Sequence, residues 1–152
     1  MSMSSLRKVK KEQKKKKEKA RKFNAALPAL KVLRLERFGY CANEESVFTV
    51  KGDLVLRDHT PMFQSNPESA CFNEPFCRKD AFLDGLRELN IYAWKRKYED
   101  RLILDGLQWE LELLFGGNCR PVKITGINAY PEQFDALLCL TGLEESDEQD
   151  QN

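Results

Sequence analysis

The sequence predicts an α+β domain: an antiparallel sheet of about five strands with two helices packed on one face, preceded by a basic helical or disordered arm. Three observations lead there. From Gln108 to Phe115 the chain alternates, with Trp109, Leu111, Leu113 and Phe115 on one side and Gln108, Glu110 and Glu112 on the other, the period of a half-buried strand. Pairs of β-rich runs flank short Gly-containing turns, as hairpins do. Two further stretches repeat their apolar residues at helical spacing and give the order arm–β–ββ–α–β–β–α.

The arm comes first, over residues 1–27. Between Arg7 and Lys22 stand eleven Lys/Arg and two acids, a local charge of +9. Leu6, Val9, Ala20 and Phe23 do not fall on one helical face, so the segment carries no stripe with which to join a core. Glu12 with Lys16 and Glu18 with Lys22 support a helix by a few tenths of a kcal/mol each, against the mutual repulsion of Lys14 to Lys17. A solvated, frayed helix or a disordered arm outside the domain is the expectation.

The domain spans 28–143. Leu33 and Leu35 alternate with Arg34 and Glu36 inside a strand over about 30–38. Val47–Val50 and Leu54–Leu56 flank Lys51, Gly52 and Asp53 and read as a hairpin. His59 to Ala70, with Pro61, Ser65, Asn66, Pro67 and Ser69, reads as a loop. Asn73 and Pro75 look like the cap and first turn of a helix that places Phe76, Leu83 and Leu86 on one face, with Gly85 costing about 1 kcal/mol relative to Ala. After the strand at 108–115, Gly116, Gly117 and Asn118 turn the chain, and Val122–Thr125 returns antiparallel. Pro131 opens the last helix, where Phe134, Leu137, Leu138 and Thr141 recur, and Gly142 stops it. Residues 144–152 form an acidic tail, expected to be disordered, with five acids and no base from Glu144 to Asp150. The formal net charge of +1 therefore conceals a middle segment of −3 between a basic arm and an acidic end.

The composition, 41% hydrophobic and 32% charged, fits a soluble domain. No apolar h-region follows the basic start, and no run reaches the ~20 apolar residues of a membrane span. The five cysteines (Cys41, Cys71, Cys77, Cys119 and Cys139) are odd in number and irregularly spaced. A cytoplasmic protein with reduced thiols, most of them small buried hydrophobes, is the expectation.

Asp105-Gly106-x-Gln108-Trp109-x-Leu111, followed by Gly126-x-Asn128-Ala129-Tyr130-Pro131-x-x-Phe134, resembles a group of small uncharacterised bacterial proteins. Trp94-Lys95-x-x-Tyr98 fits the same pattern, and the likeness covers roughly residues 78–143. The resemblance implies a bacterial cytosolic α+β domain and carries no chemistry.

Candidate chemistry is sparse. Lys8, Lys10, Lys11, Lys14, Lys15, Lys16, Lys17, Lys19, Arg21 and Lys22 are the residues that would neutralise phosphates, since clustered cations release condensed counterions on binding. The arm has one aromatic residue, Phe23, and so lacks interleaved stacking groups; the acidic tail would screen it. Cys71-x5-Cys77 is wider than the usual zinc spacing, with His59 the one upstream imidazole, and unpaired thiols are the plainer reading. His59 in a Pro-rich loop reads as a surface histidine. There is no Gly-rich phosphate loop, nucleophile elbow or His-Glu-x-x-His, so no catalytic, cofactor or metal residue is assigned. Asp105, Gln108, Asn128 and Tyr130 could line a small pocket, but turn and helix-cap chemistry accounts for them. Trp94, Tyr98 and Trp109 are anchors for an interface or, more ordinarily, for the core. The leading expectation is a non-enzymatic cytosolic domain that engages an unidentified protein partner and no membrane. The alternative is nucleic-acid association through the basic arm.

Overall fold

Alternating residues in the strand-forming runs give the sheet one apolar and one charged face, and the fold is the covering of the first. The computed structural model describes residues 3–39, 43–62, 65–100, 102 and 106–143; Cys41, Asp105 and the acidic run Glu144–Asp150 fall outside them. The elements are α1 (Met3–Ala26), β1 (Leu30–Phe38), β2 (Glu44–Lys51), β3 (Leu54–Pro61), β4 (Cys71–Arg78), α2 (Lys79–Glu88), β5 (Lys97–Glu99), β6 (Gln108–Phe115), β7 (Val122–Ile127) and α3 (Phe134–Leu140). Short 3-10 turns lie at Leu27–Ala29, Pro67–Ser69 and Ile91–Ala93.

The strands form one sheet in the order β4-β3-β2-β1-β6-β7-β5. All neighbours are antiparallel except β5 and β7, which run parallel. This corrects the expected sheet of about five antiparallel strands under two helices. The protein is α+β, but its sheet has seven strands and is mixed, and a helix of 24 residues precedes it.

The two extra strands have physical reasons. Asn73-Glu74-Pro75 imitates a helix start, yet it lies in β4, an edge strand, where proline's missing N–H costs no ladder bond. Asn73 takes a left-handed conformation at φ 50° in a stretch of irregular register and donates its N–H to Asp58 Oδ1 at 2.7 Å. The helix starts later, at Lys79, whose N–H is accepted by Asp53 O. β5 has three residues among Lys and Arg, too short to show a period, and it pairs through Lys97–Glu99 with Thr125–Ile127. The expected loop from His59 begins later as well, because β3 continues to Pro61.

α2 and α3 close the apolar face through Phe82, Leu83, Leu86, Phe134 and Leu137 against Leu33, Leu35, Phe48, Val55, Leu111 and Leu113. Gly85 is where the two helices meet: a Cβ there would press on the Leu140 side chain, so the helix-propensity cost offsets a close approach. Gly142, at φ 70°, ends α3, and Leu143 N–H returns to Leu138 O at 2.8 Å. Among the described residues no helix is long and apolar enough to cross a membrane.

Trp109 gathers the paired motifs of the C-terminal segment. Its indole is 1% exposed, lies 4.7 Å from the Phe134 ring and stacks on Tyr130 at 6.4 Å. Its Nε1–H donates to Ala129 O at 2.9 Å, which fixes the ring against the β7–α3 connection. A Cβ on Gly126 would overlap that indole nitrogen, and one on Gly106 would overlap the Asn128 amide. The glycines are therefore the space in which tryptophan and asparagine sit. Gly126→Ala is expected to lower unfolding stability by about 1–3 kcal/mol, the usual cost of overpacking a filled core. Urea denaturation measures it, and a change within about 0.5 kcal/mol would show that the indole can move aside.

Candidate functional site

α1 carries the whole basic run: Lys8, Lys10, Lys11, Lys14, Lys15, Lys16, Lys17, Lys19, Arg21 and Lys22 are all helical and all exposed. At roughly 100° per residue, Lys8, Lys11, Lys15, Lys19 and Lys22 share one narrow face of the helix. The last turns are anchored. Phe23 meets Phe115 edge to face at 6.4 Å, Leu27 is fully buried, and Gly116 N–H donates to Ala29 O at 2.7 Å. The helix thus leaves the sheet at a fixed place, with Lys19 and Lys22 of its lysine face at the base.

Where it meets the body there is an open groove of about 1180 Å³. The final turns of α1 form one wall, Ile91–Arg96 the other, and Phe115, Val122 and Ile124 contribute the floor. Lys19, Lys22, Lys95, Arg96 and Arg120 line it and form no ion pair among the described residues. Arg21 is held by Glu18 at 2.6 Å, and the Lys123 ammonium is bound to Glu110 at 2.9 Å, which raises its pKa. Among the described residues no carboxylate lines the groove. Between the cations stand Phe23, Tyr92, Trp94 and Phe115, each half-buried. Trp94 Nε1–H is used by Leu89 O at 2.9 Å, so it is the ring face that the indole can offer.

The sequence brought α1 forward but left Lys95, Arg96, Arg120, Tyr92 and Phe115 out of the candidate set. A signal was present in Tyr92-Ala93-Trp94-Lys95-Arg96-Lys97, where aromatic and basic residues interleave. The stacking groups that the arm lacks come from this segment, far along the chain.

The opposite, uncovered face of the sheet centres on Arg34. Its guanidinium reaches Glu36 at 2.7 Å and Glu110 at 2.6 Å, with Glu45 at 3.3 Å and Glu112 at 3.4 Å. Burial works against that charge, but the bond to Glu110 and the neighbouring carboxylates hold its pKa above the ordinary value. The same partners, Arg34 first and then Lys123, lower the pKa of Glu110. Arg34 thus ties β1, β2 and β6 together as a cross-strand clamp, with acids in excess over the two cations.

A second polar cluster is buried. Ser46 Oγ lies 2.6 Å from His59 Nδ1, and His59 Nε2 lies 3.4 Å from Glu44 Oε2, while Arg37 holds Glu44 and donates to Leu143 O. His59 is 4% exposed on β3, not on a surface loop, because the alternation Val55, Arg57, His59 continues inward. Serine, histidine and a carboxylate are the parts of a nucleophilic triad, but Ser46 is 0% exposed and leaves no room for a substrate carbonyl. The cluster ties β1, β2 and β3 to the end of α3.

Cys71 and Cys77 lie on β4, opposite His59 and Val55. Burial raises both thiols above the ordinary range, which disfavours the thiolate that a metal needs. Among the described residues no three His, Cys, Asp or Glu side chains gather as a metal site. Cys119 and Cys139 are exposed and Cys71 and Cys77 half-buried, so none of these four is the fully buried hydrophobe expected. Gln108, Asn128 and Tyr130 come together at the Trp109 end of the sheet. Asn128, at φ 56°, donates its N–H to Leu107 O at 3.0 Å and fills the space over Gly106.

No family model, no curated protein and no solved structure matches this chain. The site therefore has to be read from its own side chains.

The buried histidine sets one measurable property. Desolvation, then the Arg57 charge, lowers its pKa; Glu44 opposes this and Arg37 adds to it. The unfolded chain, with its histidine near ~6.5, then binds the proton more tightly than the folded protein. The stability contributed by neutral His59 is complete above ~6.5 and is lost as pH falls below it through the lowered folded value. The thermal midpoint should drop as pH falls below about 6.5, and His59→Gln should lower the midpoint at neutral pH while flattening its slope in that acid range. Parallel slopes for the two proteins would remove His59 from this role.

Proposed function

We propose that the protein is a non-enzymatic nucleic-acid-associated protein that binds the phosphate backbone along α1 and in the groove at its base. One observation carries this reading: among the described residues, five cations that form no ion pair stand with half-exposed aromatic rings in a groove lined by no acid. Arg21 and Lys123 of the lining are already held by Glu18 and Glu110, but the other five cations form no ion pair among the described residues that a phosphate would first have to break. The lysine face of α1 extends the same field outward. Lys8 to Lys22 covers about 21 Å of helix axis at 1.5 Å per residue, enough to follow several phosphates.

The charged sheet face sets Arg34, joined by Lys123, among four glutamates, an acidic excess that does not attract a polyanion. The groove does, and its sign selects anions. Contacts to phosphate carry no sequence information, so the affinity follows charge and is indifferent to base order.

Full-length protein should bind labelled oligonucleotides at low salt with a log–log salt slope of about −0.7 to −0.9 per phosphate neutralised. Arg96→Ala and Arg120→Ala should each weaken binding and reduce that slope by about 1. Fluorescence anisotropy between about 50 and 200 mM salt measures both. Tight binding to anionic vesicles with none to oligonucleotides would assign the groove to a membrane surface instead. Absence of both would end the reading.

A further inference from the structure

Resting on the nucleic-acid reading of this groove, we infer that its ligand is single-stranded, with unpaired bases laid against Tyr92 and Trp94 and the phosphates held by the cations at the rims. The groove, about 1180 Å³, exceeds the roughly 300–1,000 Å³ of small-molecule sites and is open along its length, which suits a segment of polymer. Its chemistry is divided as a single strand is divided. Lys19, Lys22, Lys95, Arg96 and Arg120 line the groove together with Phe23, Tyr92, Trp94 and Phe115. A backbone needs the first set and a base face needs the second.

A duplex can use only half of this arrangement. Its bases are stacked on one another with their faces covered, so it would lie along the exposed lysines of α1 and leave the aromatic interior empty. An unpaired base has a free π-face to bury, and Trp94, whose N–H is already bound to Leu89 O, presents a ring with no polar demand of its own. The Tyr92 hydroxyl makes no hydrogen bond within the described residues, which leaves it free beside a bound base. Tyr98 and Tyr130 pack on the buried Trp109, away from the groove lining, and the exposed Phe72 lies on the edge strand β4. Arg96 and Arg120 add planar cations that can stack as well as pair with phosphate.

The experiment compares the full-length protein and Tyr92→Ala, Tyr92→Phe and Trp94→Phe variants on a single-stranded oligonucleotide and on its duplex at one salt concentration. The single strand should bind more tightly and quench tryptophan emission; Trp94→Phe should remove most of the quench. Tyr92→Ala should weaken single-strand binding about fivefold or more while leaving the duplex affinity and the salt slope unchanged, and Tyr92→Phe, which keeps the ring, should bind like the parent. Circular dichroism melts of each variant confirm that the fold is retained. Equal affinity for single strand and duplex, with no effect of Tyr92→Ala on either, would overturn the stacking inference and leave the phosphate-binding reading intact. Failure of both ligands to bind at low salt would overturn the two together.

Discussion

The pairing of β1 with β6 makes one sheet out of two ribbons. On one side lies the meander of β1 to β4, on the other β6, β7 and the short β5, and this antiparallel ladder is the join. Its apolar face sets Leu33 beside Leu113 and Leu35 beside Leu111, all fully buried. Its other face places Arg34 between glutamates of β1, β2 and β6, including Glu110, 76 positions away in sequence. Closing so long a loop costs entropy before any contact repays it. The ladder, the leucines and the guanidinium repay it together, and the covering helices then have a continuous surface to pack on. The groove depends on the same join, because Phe115 at the end of β6 receives Phe23 and so fixes where α1 leaves the body.

Much of this sheet was legible in the sequence because burial on one face imposes a period of two. Leu33 and Leu35, Trp109 to Phe115, and the runs around Gly52 and Gly117 announce their strands in that way. What was illegible involves competition between signals. Asn73 and Pro75 carry a helix-start pattern, but the tertiary structure uses them at a sheet edge, where the same residues are tolerated for a different reason. Pro61, Ser65 and Pro67 make a convincing loop and conceal that His59 still obeys the alternation of β3. β5 is held by its partner β7 and has no period of its own to show. The groove lay further out of reach. Its walls come from residues near 19–26, 91–96 and 115–124, and no local pattern says that a lysine helix and a Tyr-x-Trp segment will face one another. Each half was visible separately.

The basic and acidic ledgers of the chain are settled in different places. Within the sheet, opposite charges meet across strands, and pKa values move in the directions that stabilise both partners. Near the groove, by contrast, Lys19, Lys22, Lys95, Arg96 and Arg120 gather without an ion pair among the described residues, which costs electrostatic repulsion in the isolated protein. On the proposed reading, an arriving polyanion would relieve that repulsion.

The edges of the sheet bear on what happens once many copies are bound close together. β4 is broken by irregular register, a left-handed Asn73 and Pro75, and β5 is three residues long. Asn73 and Pro75 interrupt the N–H and C=O groups along one border, and the other is short, so both are poorer templates for another strand. A protein that a polyanion concentrates along its length meets its own copies at high local density, the condition under which exposed β edges seed fibres. On the proposed reading, the broken and shortened edges would let copies crowd on a shared strand with less tendency to join into a continuous sheet.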